Sequence, residues 1–227
     1  MNIVVLASTL PELGAVTAAS RVHPLAGNLY QYTLPSGKGS FQVLIGGVGI
    51  PATVFHLTKY MLEYRPQLVI QAGIAGAYDR SLDIGQAVIV QQDRFATLGA
   101  EEEDRLLNIY ELGLSDPQAF PFHDGWLHAS EAPPSLDFLP KVSGITVDTT
   151  TGTEATRILR AEKYHPHIES MEGAACLYVC AQLGVHAIQL RTISNYVEKR
   201  NKLNWNIPLA VSNLQKPLFE YLETTIN

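Results

Sequence analysis

The run Val185-His186-Ala187-Ile188-Gln189-Leu190 passes directly into Arg191-Thr192-Ile193-Ser194-Asn195. An apolar β-run turns abruptly into residues that form hydrogen bonds. In an open α/β sheet such a change marks the carboxyl end of a strand, where the ligand crevice lies. Asn195 is the most informative of these residues. Its neutral amide both donates and accepts, so it can read a base edge that carries a carbonyl and a ring N–H. An aspartate there would suit a different base. A strand-end residue capping a turn is the other reading of Asn195, and Arg191 reads either as orienting this loop or as a structural arginine.

Strands and helices alternate on the amino-terminal side of this run. Ile3 to Leu6 are continuous β-branched and aliphatic residues, the pattern of a buried strand. Ser8-Thr9-Leu10-Pro11-Glu12 then predicts a helix start, with a Ser or Thr cap and Pro and Glu in the first turn. Leu29 to Leu34 and Phe41 to Ile45 predict two strands joined by the turn Pro35-Ser36-Gly37-Lys38-Gly39. Gly46-Gly47-Val48-Gly49 leads into a helix from about Pro51 to Tyr64. Leu68 to Gln71 predicts a short strand ending in Ala72-Gly73-Ile74-Ala75-Gly76, and Gln86 to Gln91 another. From about Ala96 to Ser143, acidic residues, aromatics and prolines predict an excursion with one short helix, not a second domain. A strand at Gly144 to Val147, helices opening near Thr153-Glu154 and running from Glu172 to Leu183, and a last helix from about Ile207 to Thr225 complete the order. The alternation predicts an α/β sheet with helices on both faces, in a single domain over residues 1–227.

The 227 residues are 46% hydrophobic and 17% charged, with a formal net charge of −6 and no basic run. That balance argues against nucleic acid and anionic membrane as partners. The start Met1-Asn2-Ile3-Val4-Val5-Leu6-Ala7 has no basic region and reads as a core strand, not a signal peptide. No apolar stretch approaches the roughly 18 residues that span a bilayer. Cys176 and Cys180, four apart on a predicted helix, read as reduced core thiols of a cytoplasmic protein. No metal constellation is visible, and no cofactor is expected. Gly46-Gly47-Val48-Gly49 lacks the acidic residue about 20 positions on that completes a dinucleotide site, and the Gly-Lys-Ser/Thr ending of a P-loop is missing.

Glycine-rich turns after strands permit positive φ and close approach of backbone to a ligand, or simply tight packing. Two carboxylates stand out beside them. Glu172, in Glu169-Ser170-Met171-Glu172-Gly173-Ala174-Ala175, opens an otherwise apolar helix. A carboxylate accepts two hydrogen bonds at once, so it suits a vicinal diol such as ribose O2′ and O3′; a helix-start acid favoured by the macrodipole is the even alternative. Met171 suits either a flat purine face or the core. Glu12 reads as a first-turn acid or, at a crevice, as a general base on water.

These segments, in this order and spacing, resemble the nucleoside phosphorylase and nucleosidase superfamily. They are the first strand with Glu12, the turn ending at Gly49, Ala72 to Gly76, Ser170-Met171-Glu172-Gly173 and Arg191 to Asn195. Three features resemble the futalosine hydrolases, a branch serving the alternative menaquinone pathway: Leu98-Gly99-Ala100-Glu101 with Asp104-Arg105, Thr146 to Thr153, and Asn195 followed by Arg200 and Trp205-Asn206-Ile207. Methylthioadenosine nucleosidases typically carry Asp where this chain has Asn195. The resemblance implies a central mixed, twisted, partly barrel-like sheet flanked by helices. It also implies a homo-oligomer, a dimer or a dimer of dimers, in which a neighbouring subunit covers part of the pocket. Phe120, Phe122 and Trp126 are placed at that contact.

The resemblance implies hydrolysis of an N-ribosidic bond in a small-molecule nucleoside. Glu12 would deprotonate the attacking water, Glu172 would clamp the ribose diol, and Met171 would pack on ribose and base. Main-chain groups of Ile74, Ala75 and Gly76 would place water and base, and Asn195, with Ser194 and Arg191 beside it, would hold the leaving purine. Donor counting favours a 6-oxopurine: the Asn195 N–H₂ donates to O6 while its carbonyl accepts from N7–H. A wrong pairing leaves a buried polar group unsatisfied, worth about 1–3 kcal/mol or roughly five- to 150-fold. A phosphorylase would need Arg near the glycine turns; no basic residue lies between Ser8 and Ala19, although Arg80 is close in sequence. The competing readings are a methylthioadenosine or aminofutalosine nucleosidase, a purine nucleoside phosphorylase, and a non-enzymatic nucleoside-binding protein. His56, His123 and His128 read as surface or core histidines.

Overall fold

Ile3–Ala7 (β1), Leu68–Ala77 (β5) and His186–Tyr196 (β12) run parallel, with β5 between the other two. The computed structural model describes residues 2–14, 22–34, 36–37 and 39–226. Every residue of β1 is buried, as the continuous apolar run requires when helices cover both faces. Alternation along that strand splits the core in two. Ile3 and Val5 pack in a cluster with Leu214, Leu218 and Leu222 of helix α4 (Ile207–Ile226). Val4 and Leu6 pack in another with Leu57 and Met61 of α1 (Ile50–Tyr64) and Cys176, Leu177 and Cys180 of α3 (Gly173–Gln182).

The sheet closes on itself at one end. β12 is antiparallel to β6 (Ala87–Phe95), which runs parallel to β10 (Lys141–Thr146). β10 is parallel to β11 (Ile168–Ser170), and β11 returns antiparallel to β5 through Ile168↔Ala77 and Glu169↔Gly76. On the other side of β5 the sheet continues open through β1, β4 (Ser40–Ile45), β3 (Leu29–Thr33) and β2 (Val22–Ala26). This is the mixed, partly barrel-like sheet expected from the resemblance. Helix α2 (Glu154–Tyr164) opens at Thr153, whose side chain accepts from the Thr156 N–H. Among the described residues no helix is long and apolar enough to cross a membrane.

Several sequence expectations need correction. The strand expected to end at Leu190 runs on to Tyr196, and the strand expected to end at Gln71 runs on to Ala77. The glycine run 72–76 is therefore strand, not turn, because β12 pairs with it residue by residue. At Ser194 the pairing jumps from Ile193↔Ala75 to Asn195↔Gly76, so Ser194 is the extra residue of a β-bulge. Bulges re-aim side chains, and this one turns Asn195. At the chain head only a 3-10 turn, Leu10–Leu13, is described; residues 15–21, which would continue a helix, lie outside the described residues, as do Pro35 and Lys38 of the expected turn. The middle segment carries a hairpin, β7 (Gly99–Glu102) with β8 (Arg105–Asn108), that sequence reading missed, then the short strand β9 (Leu127–His128) on β6 and a 3-10 turn at Pro134–Leu136. Phe120 is largely exposed there, while Phe122 packs between Tyr110 and Tyr178 and Arg94 lies over Trp126.

Candidate active site

Glu12, Glu172 and Arg191 come together where β5 and β12 leave the apolar core. Glu12 sits on the 3-10 turn after β1, and its Oε2 accepts from the backbone N–H of Ser8 (3.0 Å) and of Thr9 (3.2 Å). Glu172 is the residue that caps α3, and its Oε1 accepts from the Gly49 N–H at 3.0 Å. That N–H is available because Gly49 and Gly47 hold φ of 88° and 82°, in the left-handed region that favours glycine. The glycine turn thus holds a carboxylate of the protein itself.

Arg191 is 1% exposed and lies between the two acids. Its Nη1 is 3.8 Å from Glu172 Oε2 and donates to the Ile74 carbonyl at 3.4 Å, and its Nε donates to Gln189 Oε1 at 3.2 Å. Gly73 makes this approach possible: a Cβ there would lie 2.7 Å from Arg191 Nη1 and 3.7 Å from Glu12 Oε2. Burial raises the Glu12 carboxyl above the ordinary glutamate range, the nearby Glu172 charge raises it further, and Arg191 opposes both. A carboxylate with raised basicity, one edge anchored by two backbone N–H groups, is suited to take a proton from water.

The bulged end of β12 forms the second part of the site. Asn195 Nδ2 donates to the Tyr196 carbonyl at 2.9 Å, and Ser194 Oγ lies 2.7 Å from Asn195 Oδ1 and 3.2 Å from the Ala75 carbonyl. Only an N–H₂ group can face a carbonyl, so Tyr196 fixes which way the amide points. One amide hydrogen and one lone pair remain for a ligand. Asn195, Gly76, Thr150, Thr151, Glu169, Arg200 and Trp205 border a cavity of about 50 Å³. Thr151 is anchored from beneath: its N–H donates to Glu169 Oε1 at 2.7 Å, and Arg160 Nη1 reaches its Oγ at 2.7 Å and Glu169 Oε2 at 3.2 Å.

The structure therefore brings Glu12, Glu172, Arg191 and Ile74 into one cluster and Asn195, Ser194, Ala75 and Gly76 into an adjoining one. Met171 is partly buried next to Glu172. The carbonyls of Ile74 and Ala75 are engaged by Arg191 and Ser194. Sequence reading missed Gln189, Asp93 and the Glu169–Arg160–Thr151 cluster; the one signal was polar residues inside otherwise apolar strands. His128 lines a separate cavity of about 690 Å³ with Gln91, Ser130, Lys141 and His167. His56 borders another, of about 180 Å³, and the His123 ring packs against His128. Arg80 pairs with Glu198 at 2.9 Å and lies over the Tyr196 ring. Among the described residues no group of three or more His, Cys, Asp or Glu is arranged to hold a metal ion.

The partly barrel-like sheet with two carboxylates at the open end of β5 and β12 is a nucleoside phosphorylase-like fold. The chain belongs to the phosphorylase superfamily, whose family model matches residues 2–223. It is 30% identical over 183 residues to the futalosine hydrolase of Thermus thermophilus, covering 79% of this chain and 80% of that one. It is 31% identical over 190 residues to the futalosine hydrolase of Streptomyces coelicolor, covering 81% and 77%. The 5′-methylthioadenosine/S-adenosylhomocysteine nucleosidase of Neisseria meningitidis, solved with methylthio-immucillin-A, superposes with a TM-score of 0.80 over 98% of this chain and 99% of that one, at 15% identity.

Proposed function

We propose that this protein is an N-glycosyl hydrolase that cleaves futalosine into hypoxanthine and dehypoxanthine futalosine. The observation that carries the reading is the carboxylate pair Glu12 and Glu172 around a buried Arg191, next to an amide, Asn195, whose orientation the protein sets. The relatives near 30% identity support the choice of futalosine.

Bond breaking runs through an oxocarbenium-like ribosyl centre. The C1′–N9 bond breaks and its electron pair goes to the purine; the water oxygen bonds C1′, and its proton goes to Glu12. Glu172 holds the ribose O2′ and O3′, and its charge favours the developing positive centre. Met171 packs on ribose and base. As the bond breaks N7 takes up a proton from solvent, which Glu12 later returns; the free N–H of Asn195 donates to O6 and its free lone pair accepts from the N7–H so formed, which stabilises the leaving hypoxanthine. Water is the nucleophile because Arg191 faces two carboxylates and Arg80 is paired with Glu198, so neither offers net positive charge to a phosphate.

The protein acts as a homo-oligomer in the cytoplasm, with the segment around Phe120 at the subunit contact; the exposed Phe120 ring supports that placement. Product analysis with futalosine, aminofutalosine, methylthioadenosine and inosine, with and without phosphate, tests the whole reading. Hypoxanthine released from futalosine without phosphate is the expected result. Faster adenine release points to the aminofutalosine or methylthioadenosine nucleosidases, and strict phosphate dependence with ribose 1-phosphate as product points to a phosphorylase.

A further inference from the structure

Beneath the carboxylate pair lies a third buried acid. Asp93, on β6 inside the closed part of the sheet, is 0% exposed. Its Oδ1 accepts from Thr146 Oγ at 2.9 Å, and its Oδ2 has no hydrogen-bond partner. Gln189, also 0% exposed, reaches the same place, and its Nε2 is unpartnered. The two side chains converge on a gap in the backbone of α3. A Cβ on Gly173 would lie 2.0 Å from Asp93 Oδ2 and 2.6 Å from Gln189 Oε1. A Cβ on Gly144 would lie 2.9 Å from the same Asp93 oxygen. Two glycines are thus spent on housing one carboxylate. Gln189 Oε1 in turn accepts from Arg191 Nε, so Gln189 stands between Asp93, whose carboxyl both Gln189 and Arg191 pull down, and the guanidinium that faces Glu12 and Glu172.

We propose that Asp93 is a positioning residue: through Gln189 it holds Arg191 in place and takes up part of its charge, which keeps Glu12 basic enough to act on water. Resting on the hydrolase reading above, this adds a group that never touches substrate. The charge balance explains the need. Arg191 on β12 is the cation facing these acids. Glu172 faces Glu12 from the head of α3, while β10 brings Gly144 and Thr146 to Asp93 and β5 brings Gly73 to Glu12. With Asp93 absent, its negative charge would no longer offset the effect of Arg191 at Glu12, and Glu12 would become a weaker base. Burial pushes the Asp93 carboxyl up to about 6, against the pull of Thr146, Arg191 and Gln189. Its charge, and with it this support of Glu12, is therefore present above that pH.

The test compares wild type, Asp93→Asn and Asp93→Ala, with Gly173 kept because a Cβ there would also meet Gln189 Oε1 at 2.6 Å. The first readout is the Glu12 carboxyl titration, followed by NMR of the labelled glutamate carbon and assigned with Glu12→Gln; it needs no turnover. Both variants are expected to lower the Glu12 midpoint by about one pH unit. The second readout is futalosine turnover against pH. The acid limb of kcat is expected to move down by the same amount and kcat at neutral pH to fall, with KM unchanged. A residue that only fills space would change melting temperature but neither curve. An unmoved Glu12 midpoint in the folded variants overturns the proposal. A wild type that cleaves no nucleoside overturns the hydrolase reading while leaving the NMR result to decide the role of Asp93.

Discussion

Replacing Asn195 by Asp changes one atom and separates two effects. The Asn195 Nδ2 donates to the Tyr196 carbonyl at 2.9 Å. In Asn195→Asp an acceptor oxygen takes that place, two acceptors face each other, and the carbonyl loses its partner. Leaving such a group unsatisfied costs about 1–3 kcal/mol. That cost falls on the protein whichever nucleoside is bound, so it cancels when two substrates are compared on one variant. The second effect does not cancel. The wild-type amide offers O6 of hypoxanthine a donor; the carboxylate offers only acceptors, which suit the N6 amino group of adenine. The loss of one donor on one substrate is again about 1–3 kcal/mol, so the ratio of kcat/KM for hypoxanthine over adenine release should fall roughly five- to 150-fold. Futalosine against aminofutalosine, and inosine against adenosine, give matched pairs in which chromatography of the free base reads the ratio. Ser194→Ala supplies the control: it removes the hydroxyl near Oδ1, 2.7 Å away, without changing the amide, and should loosen both substrates alike. An unchanged ratio in Asn195→Asp refutes the assignment of Asn195 as the reader of the base.

Glu12→Gln should reduce kcat about 10²- to 10⁴-fold with little change in KM, as expected when a general base is removed from a formed site. Because burial first and the Glu172 charge second raise the Glu12 carboxyl, and the base must be ionised to act, wild-type kcat should fall on acidification through a midpoint above the ordinary glutamate value; a pH profile that stays flat down to that value contradicts the role. Arg160→Met should destabilise the fold by about 3–5 kcal/mol, since it strands the buried Glu169 carboxylate. Thermal melting checks the cost. The freed Thr149 to Thr151 loop should appear as a raised KM, and unchanged melting would show that the pair does not carry the loop.

What could be read from the sequence follows from the range over which each signal acts. Apolar runs and caps are local, so β1, α1 and α2 fell where Ile3 to Leu6, Pro51 to Tyr64 and Thr153-Glu154 put them. The extents of β5 and β12 were misjudged because Gly73 and Ser194 look like strand breakers when taken alone. Their reasons are tertiary: Gly73 clears space for Arg191, and Ser194 is a bulge that exists only against β5. The candidate residues Glu12, Glu172 and Asn195 could be picked out because their type carries chemistry in a recognisable order, and the fold brings Glu12 and Glu172 around Arg191. Asp93 and Gln189 could not be picked out, because a polar residue in a strand gives no sign of whether it faces solvent or another strand across a closed sheet. The same limit hid Glu169 on β11, which meets Arg160 of α2.

The cavity beside Asn195, about 50 Å³, is about two water molecules in size and too small for a purine. With the base placed against Asn195 as proposed, its entry requires a wall of this cavity to move, and the energies say which wall. Below, Thr151 is tied to a buried ion pair whose loss is expensive. Above, residues 197–206 cross the cavity as a strap. Its ends are fixed by backbone bonds, Val197 N–H to the Ala77 carbonyl at 2.8 Å and Asn206 N–H to the Ser194 carbonyl at 2.8 Å. Between them the Arg200 N–H donates to the Gly152 carbonyl at 3.0 Å, and the rest is exposed: Arg80 to Glu198, Arg200 to Thr150, and Arg200 over the Trp205 ring. Exposed ion pairs are worth about 0–1 kcal/mol and exposed cation–π contacts about 0.5–1 kcal/mol. The strap is the cheap wall, and its middle should lift while its ends stay. Trp205 reports this directly. The chain has two tryptophans, so Trp126→Phe leaves Trp205 as the sole tryptophan, read by excitation at the red edge where tyrosine does not absorb. Saturation with hypoxanthine or inosine should separate its ring from Arg200 and shift its emission, and Arg200→Ala should reproduce part of that shift without ligand. Ligand binding seen by calorimetry with an unchanged Trp205 spectrum would mean that the base enters by another route.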